Sequence, residues 1–118
     1  MPDKPLQWIG TSRVDVRRFT AAARRLTGFQ LRRVQQGLDP TDWKPMTTVG
    51  AGVREIRIHV DGAHRVFYVA TFDEAVYVRH AFTKKTRKTA QRDIAIGRQR
   101  FGELAAMRKQ RHDEAKQR

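Results

Sequence analysis

The alternation of apolar and polar residues between positions 53 and 83 predicts three consecutive β-strands. The first covers Val53 to Val60, and Asp61-Gly62-Ala63 after it is typical of a tight hairpin turn. An apolar run from His64 to Phe72 predicts the second strand, and a turn at Asp73-Glu74-Ala75 precedes a third, from Val76 to about Thr83. Together they predict a three-stranded antiparallel meander. The polar face of the first strand carries Glu55, Arg57 and His59.

The residues before this meander predict one short strand and two helices. Leu6 to Ile9 is an apolar run ended by Gly10 and predicts an edge strand. Ser12 is a suitable N-cap for a short helix reaching Phe19, and a longer helix is predicted from Thr20 to Gln36. The turn-rich residues 37–45 then predict a loop that continues through Gly52. The apolar stripe predicted for the longer helix is Ala22, Ala23, Leu26, Phe29 and Val34.

A final helix is predicted from Thr89, its N-cap, to near the C-terminus. Apolar support fades after Met107, so residues 109–118 are expected to fray. The predicted fold is a single α+β domain over residues 1–118, with helices on one sheet face and the other face partly open. Its order is a short N-terminal strand, two helices, the meander and a C-terminal helix. The predicted inner positions of the last helix are Ala90, Ile94, Gly97, Phe101, Leu104, Ala105 and Arg108.

Several classes of function are disfavoured by what the sequence lacks. There is no cysteine, which fits a reducing compartment, and no apolar run reaches the roughly 18 residues of a membrane span. The N-terminus lacks the layout of a signal peptide, so we expect a cytoplasmic protein that does not contact membranes. No glycine-rich phosphate loop, His-Glu-x-x-His pair or Gly-x-Ser-x-Gly motif occurs. The four histidines have no metal-like spacing, so neither a metal nor a cofactor is expected.

The charge narrows the range of partners. The chain has 25 basic and 12 acidic residues, a net charge of +13. Residues 1–40 hold eight basic and three acidic residues, residues 41–83 five of each, and residues 84–118 twelve and four. Such a field attracts polyanions, of which nucleic acid is the usual one. An acidic protein partner is the main alternative, and both can apply.

Candidate site residues lie on the predicted strands and just beyond the third. Because adjacent strands are under about 5 Å apart, several can converge on one patch. Arginine can hold a phosphate through two hydrogen bonds, lysine supplies a mobile charge, and an exposed aromatic ring can stack on a base. The candidates are Arg54, Arg57, Arg65, Tyr68, His80, Phe82, Lys84, Lys85, Arg87 and Lys88.

This set of side chains suits metal-free RNA cleavage. A ribose 2′-hydroxyl attacks the adjacent phosphate once a base takes its proton, cations stabilise the transition state, and an acid protonates the leaving oxygen. Histidine, tyrosine or a lysine of lowered pKa can move the proton. Structural roles remain open: His80 inside the sheet, Tyr68 and Phe82 in the core, and Arg54 and Arg79 on a solvated face. His64 and His112 are expected at the surface.

The same strands carry a family resemblance. The sequence resembles the RelE/ParE toxin superfamily, and within it the HigB-like, phage-derived branch. The resemblance is carried by the segments Val53 to Ile58, His64 to Val69 and Val76 to Thr89. Members typically show Glu-(Leu/Ile)-Arg, then Tyr-Arg-x-x-Tyr, then His-(Ala/Gly)-Phe-x-Lys-Lys-x-x-Lys-(Thr/Ser)-Pro. Here His64 replaces the tyrosine before Arg65, and Ala90 replaces the proline. The resemblance extends over roughly residues 4–105.

The resemblance implies the toxin of a type II toxin–antitoxin module. Such toxins usually cleave mRNA on the ribosome without a cofactor and are silenced by a small antitoxin, in this branch usually a helix-turn-helix protein. Carried over by position, Arg57, Arg65, Lys84 and Lys85 would hold the scissile phosphate. His80 or Tyr68 would move the proton, and Phe82 would pack beneath the site or stack a base. Lys88, carried over in the same way, would bind RNA, as would Arg54 and Arg87, which are candidates from their charge and place in the chain.

Two other functions fit the same sequence. One is a ParE-type DNA gyrase inhibitor without nuclease activity, against which His80 and the Lys84-Lys85 pair speak. The other is a non-catalytic basic protein that binds RNA or the ribosome. The sequence does not determine which residues are the general base and acid, which codons or transcripts are cut, or whether this protein is active. It also does not determine the oligomeric state or the antitoxin-binding surface.

Overall fold

The computed structural model describes residues 3–85 and 90–116, which form a five-stranded sheet with helices on both faces. The strand order is β1-β5-β4-β3-β2, and only the β1–β5 pair is parallel. This confirms the predicted α+β fold, compatible with a RelE-like architecture. The elements are β1 (Leu6–Trp8), α1 (Ser12–Arg17), α2 (Ala21–Gln35), β2 (Trp43–Pro45), β3 (Val53–His59), β4 (Ala63–Val69), β5 (Val76–Lys84) and α3 (Gln91–Lys116).

The predicted meander is confirmed, and its first turn shows why the sequence favours it. Asp61 has φ 52° and Gly62 has φ 108°, the pair of positive values that a tight hairpin turn matching the strand twist requires. The Asp61 carboxylate also accepts a hydrogen bond of 3.0 Å from the Thr20 hydroxyl at the start of α2. The turn therefore sets the β3–β4 register and ties it to the helix above.

The α2 helix packs on one sheet face, but through a different stripe from the predicted one. Its buried residues include Thr27 and Gln30 beside apolar ones, because the Thr27 hydroxyl donates to the Ala23 carbonyl at 2.7 Å and Gln30 bonds with Thr41. These satisfied polar groups turn Phe29 outwards, so that it is 56% exposed. The prediction that Phe29 belongs to the core stripe is wrong.

The short helix α1 begins where expected, but Ser12 does not cap it. Thr11 occupies the N-cap position, and the Ser12 hydroxyl donates a 3.0 Å hydrogen bond to the carbonyl of Val78 in β5. Ser12 is fully buried. The residue that looked like a cap thus fastens α1 to the sheet.

One strand falls inside the predicted loop. Residues Trp43–Pro45 form β2 and pair antiparallel with β3, placing Lys44 opposite Glu55. Three residues are too few to show a period of two, and Pro45 argues against a strand in sequence reasoning. Since β2 lies at the sheet edge, the missing proline N–H costs no hydrogen bond in the ladder.

Helices cover both faces, so the prediction that all helices cover one face is wrong. The face packed by α1 and α2, called the α2 face, buries Ile56, Ile58, Val66 and Val78. The opposite face, called the α3 face, carries two smaller clusters in which Ile94 and Leu104 of α3 pack near β4 and β5. The part of the α3 face near β2 and β3 is where the charged residues collect.

A β-bulge in β5 decides which residues reach the α3 face. Phe67 pairs with His80 and Tyr68 with Val78, which leaves Arg79 as the extra residue. Before the bulge Val78 points to the α2 face, and after it Ala81 does. The bulge therefore shifts the alternation by one residue and sends His80 and Phe82 towards α3.

The helix α3 extends to Lys116, with only exposed side chains from residue 109 to residue 115. The expected fraying of residues 109–118 in solution stays a prediction. Arg108, just before this tail, is held by the β4–β5 turn: its Nε donates to Glu74 at 2.8 Å, and its guanidinium lies 3.7 Å from the centre of the Phe72 ring. No described helix is long and apolar enough to span a bilayer.

The Glu74–Arg108 contact should make the docking of α3 sensitive to acid. The Arg108 hydrogen bond, aided by Tyr77, lowers the pKa of Glu74 from 4.5 to about 2. A carboxylate with a lowered folded-state pKa stabilises the fold above its unfolded pKa and loses that effect as pH falls through the folded one. We expect Glu74→Gln to lower the melting temperature at pH 6, and the difference from wild type to vanish as pH falls from about 4.5 to about 2.

The neighbouring Asp73→Asn variant is the control for Glu74→Gln, because Asp73 is exposed and has no ion pair within residues 3–85 and 90–116. Thermal denaturation followed by circular dichroism measures both variants. A Glu74→Gln difference that stayed constant down to pH 2 would show that the carboxylate contributes nothing through its charge.

Candidate functional site

Four cations surround one buried carboxylate on the α3 face, and we call this group the cationic cluster. Glu55 of β3 is fully buried, and its Oε1 lies 3.4 Å from Arg65 Nε, 3.7 Å from Arg57 Nε and 3.9 Å from Lys44 Nζ. Lys84 is the fourth cation, close enough for its pKa to respond to the charges of the others. Cations thus outnumber the carboxylate that holds them.

Strand pairing brings the cluster together from four strands. Lys44 of β2 lies opposite Glu55, and Arg57 of β3 lies opposite Arg65 of β4. Arg65 in turn lies opposite Phe82, and Lys84 is two residues further along β5 on the same face. Residues far apart in sequence therefore form adjacent rows under about 5 Å apart.

Exposure changes across the cluster in a way that suits anion binding. The Glu55 and Arg65 side chains are only 1% and 7% exposed, whereas those of Arg57 and Lys44 are 35% and 40% exposed. Glu55 and Arg65 form the floor of the cluster, and Arg57 and Lys44 form its solvent-facing rim. An anion arriving from solvent meets guanidinium and ammonium groups whose positions are already fixed.

Lys84 has an altered acidity within this cluster. Its pKa lies below the ordinary value, first because of burial and then because of the positive charge on Arg65, with smaller effects of Lys44 and Arg57. The charge of Glu55 offsets this lowering only in part. A lysine of lowered pKa releases its proton more readily than an ordinary one and is suited to proton transfer.

Phe82 lies beside the cluster, within the core. It is 9% exposed, packs edge-on against Phe67 with ring centres 5.3 Å apart, and stacks on His80 at 5.2 Å. Of the two roles left open for Phe82, its position therefore matches packing beneath the site.

The structure places His80 away from the cationic cluster. Its Nε2 lies 2.9 Å from an oxygen of Asp93 in α3, and both side chains are less than a tenth exposed. In the sheet, Phe67 lies between His80 and Glu55 of the cluster. His80 thus joins β5 to α3, rather than being hydrogen-bonded within the sheet as its structural alternative expected.

Tyr68 and Arg54 are not brought together with the other candidates. Tyr68 is 1% exposed in the core of the α2 face, opposite Arg54, and Arg54 pairs with Asp39 at 2.8 Å. Burial raises the pKa of the Tyr68 hydroxyl, an effect that the Arg54 guanidinium partly offsets. Tyr68 is therefore separated by the sheet from the phosphate-binding candidates.

Two residues expected at the surface are buried. His64 is 3% exposed, bonds with the Thr83 hydroxyl at 3.0 Å and packs on Phe19. Arg79 is fully buried beneath α3, donates to the Gly97 carbonyl, and has its pKa lowered to about 10 by burial. The expectations of a surface His64 and a solvated Arg79 are therefore wrong. Arg79 continues the alternation that places Tyr77 on the α3 face, and only the residues after it are shifted by the bulge.

The remaining candidates lie at or beyond the end of β5. Lys85 is exposed and follows Lys84 directly. Arg87 and Lys88 lie outside the described residues.

Three residues of this region, Lys44, Glu55 and Asp93, were not among the candidates. Glu55 could have been found, because it shares a strand face with Arg57 and belongs to the Glu-Ile-Arg motif. Asp93 carries no comparable signal, since it lies 13 residues from its partner His80 and on another element.

The cluster fits the binding and charge stabilisation of a phosphate group. Two arginines supply several N–H donors, and two lysines add charge, around the buried Glu55. Residues 3–85 and 90–116 contain no group of three His, Asp or Glu side chains placed to hold a metal ion. The chemistry that the arginines and lysines of the cluster offer is electrostatic and acid–base.

The fold and the cluster define a small, basic α+β protein with a cluster of cations around a buried carboxylate on one sheet face. The family model "Phage derived protein Gp49-like (DUF891)" matches residues 15–102. The chain therefore belongs to the Gp49-like family of phage-derived proteins, which is RelE/toxin-like. No curated protein matches the chain.

Proposed function

We propose that the chain is the toxin of a type II toxin–antitoxin module, of the HigB-like branch, and cleaves mRNA on the ribosome without a metal. The observation that carries this proposal is the cationic cluster: Arg57, Arg65, Lys44 and Lys84 around the buried Glu55. Membership of a toxin-like family and the net charge of +13 support it.

The cluster supports a transesterification within the RNA strand. The 2′-oxygen loses its proton and bonds to the adjacent phosphorus, and the bond from phosphorus to the 5′-oxygen breaks as that oxygen gains a proton. Arg57 and Arg65 hold the phosphoryl oxygens as negative charge gathers on them. DNA lacks the 2′-hydroxyl, so this reaction selects RNA.

Lys84 is the group we assign to proton transfer. Its pKa lies below the ordinary value, and it belongs to the cluster, whereas His80 is held by Asp93 and Tyr68 faces α2. Glu55 is a positioning residue in this scheme, because it is buried beneath the arginines that it orients.

The proposed partners are mRNA, the ribosome and a cognate antitoxin that carries a helix-turn-helix domain, all in the cytoplasm. The excess of basic residues favours association with both the polyanionic ribosome and an acidic protein segment. A short reading frame for such an antitoxin directly beside this one, whose product rescues growth arrest, would support this part of the proposal.

Replacing Lys84 by arginine separates proton transfer from charge. Arginine keeps the positive charge but does not release its proton at accessible pH, so we expect Lys84→Arg to cut a reporter mRNA about 10²-fold more slowly. RNA affinity should stay within about twofold of wild type. A translating extract with a labelled reporter mRNA provides the rates, and filter binding provides the affinity.

Lys109→Arg, an exposed position on α3, is the matched control and should behave as wild type. Equal rates for Lys84→Arg and wild type would remove Lys84 from proton transfer. If the wild-type protein leaves the mRNA intact but induces DNA-damage signalling, the ribonuclease proposal is wrong and gyrase inhibition replaces it.

A further inference from the structure

A second basic site adjoins the cationic cluster at the open edge of β5. The short strand β1 pairs only with Val76–Val78, so the rest of β5 has no strand on its outer side in the described part of the chain. A cavity of about 440 Å³ lies there, between α1 and α3. We call it the edge cavity.

Three cations of the edge cavity are free to bind an anion. The cavity is lined by Arg18 at the C-cap of α1, by Lys85 and by Arg92 of α3. None of these three side chains has an ion pair within residues 3–85 and 90–116. The two carboxylates of the lining have partners, since Asp15 accepts from Thr11 at 2.9 Å and Asp93 is held by His80. With Arg100, which pairs with Glu103, the lining has four arginine or lysine side chains against two carboxylates and so carries net positive charge.

His80 adds a buried polar atom to this lining. It is 5% exposed, and its Nε2 is bonded to Asp93, but its Nδ1 has no hydrogen-bond partner among the described residues. A buried ring nitrogen without a partner is costly unless a ligand or water satisfies it. His80, which lies apart from the cationic cluster, thus belongs to this second site.

The edge cavity and the cationic cluster form one continuous basic path. Phe82 lies between them: it lines the edge cavity, and it lies opposite Arg65 in the sheet. A smaller cavity of about 150 Å³ is lined by both Lys84 of the cluster and Arg92 of the edge cavity. An extended polyanion can therefore contact both sites by crossing the end of β5.

We propose that the edge cavity binds a second phosphate of the RNA strand whose scissile phosphate occupies the cationic cluster. This inference rests on the proposed function. A single RNA strand carries phosphates at regular intervals, which matches cationic groups on both sides of Phe82. The volume lies within the range of pockets that take small ligands, large enough for a nucleotide.

The test compares two doubly substituted proteins that lose the same charge. Arg18→Ala with Arg92→Ala removes two exposed cations of the cavity, and Arg25→Ala with Arg111→Ala removes two exposed arginines elsewhere. The ligand is a fluorescent single-stranded RNA with 2′-O-methyl groups throughout, which binds but cannot be cut. Fluorescence anisotropy at several salt concentrations measures Kd, and melting temperatures verify folding.

The cavity variant should bind this RNA at least about tenfold more weakly than the control. The slope of log Kd against log salt concentration should also become smaller, by the equivalent of about one phosphate contact. In cleavage assays it should raise KM and leave kcat within about twofold. Equal RNA affinities for the two variants would overturn the proposal. If only the cavity variant lost affinity for poly-L-glutamate while both bound RNA alike, the site would recognise acidic protein instead.

The RNA-binding arm does not depend on catalysis, so the two proposals fail separately. If the wild-type protein never cuts mRNA but binds the methylated RNA through Arg18 and Arg92, the ribonuclease proposal is wrong and the RNA-binding site stands. Cleavage that depends on Lys84 with unaltered binding in the cavity variant would refute the edge cavity alone.

Discussion

Replacing Arg65 with methionine should slow mRNA cleavage by about 10²–10³-fold, the usual cost of removing one preorganised donor from a developing oxyanion. Arg65 is 6% exposed, and its guanidinium is held by Glu55 at 3.4 Å and by the His64 carbonyl at 3.0 Å. These contacts fix the donor before substrate arrives. Methionine keeps most of the volume but supplies no N–H group or charge, so the transition state loses its stabilisation.

Arg79→Met is the matched control, since Arg79 is also a buried arginine of the α3 face but lies beneath α3, apart from the cluster. It should cut mRNA at the wild-type rate. Both variants are compared in a translating extract, at protein concentrations corrected for the folded fraction by circular dichroism. Arg65→Met cleavage within threefold of the control would exclude Arg65 from the reaction.

Glu55→Gln should lower the free energy of unfolding by about 3 kcal/mol. Removing one partner of a buried ionic group costs about 3–5 kcal/mol, and the lower end applies because Lys44 and Arg57 are partly exposed. Without the carboxylate, three cations within 4 Å of its oxygen repel one another. Urea denaturation measures the change.

Asp42→Asn is the control for Glu55→Gln, because Asp42 contacts Arg57 and His59 from a side chain that is 45% exposed. An exposed pair contributes below about 1 kcal/mol. A double-mutant cycle should also show that Glu55→Gln and Arg65→Met are not additive, since the two groups share one interaction. Equal destabilisation by Glu55→Gln and Asp42→Asn would contradict the role of Glu55 in positioning.

Part of the candidate site was predictable from strand periodicity. Arg57 belongs to the Glu-Ile-Arg motif, and Arg65 begins the Arg-x-x-Tyr motif of the next strand. The two arginines lie opposite each other because the Asp61-Gly62 turn sets the register. The same periodicity argues against Tyr68, which is three residues from Arg65 in a regular strand and so points to the other face. Arg54 is excluded in the same way by its odd spacing from Arg57.

The position of His80 was not predictable from the sequence. Its neighbour Arg79 is the extra residue of the bulge. Because both faces of β5 are buried, its side chains do not alternate between apolar and polar, and an inserted residue cannot be recognised from the sequence. Its partner Asp93 comes from a helix whose direction over the sheet depends on the packing of Ile94 and Leu104. The edge cavity that His80 lines exists only because α1 and α3 flank β5.

The sequence by itself determined the meander, its turns, the helices and the density of positive charge, because these depend on periodicity, turn residues and composition within short stretches. Only the tertiary structure decided that α3 crosses the face opposite α2 and that Glu55 holds the arginines together. It also decided that His80 faces a second cavity. Those features depend on how elements distant in sequence pack, and on one extra residue in β5 that reverses the direction of the side chains after it.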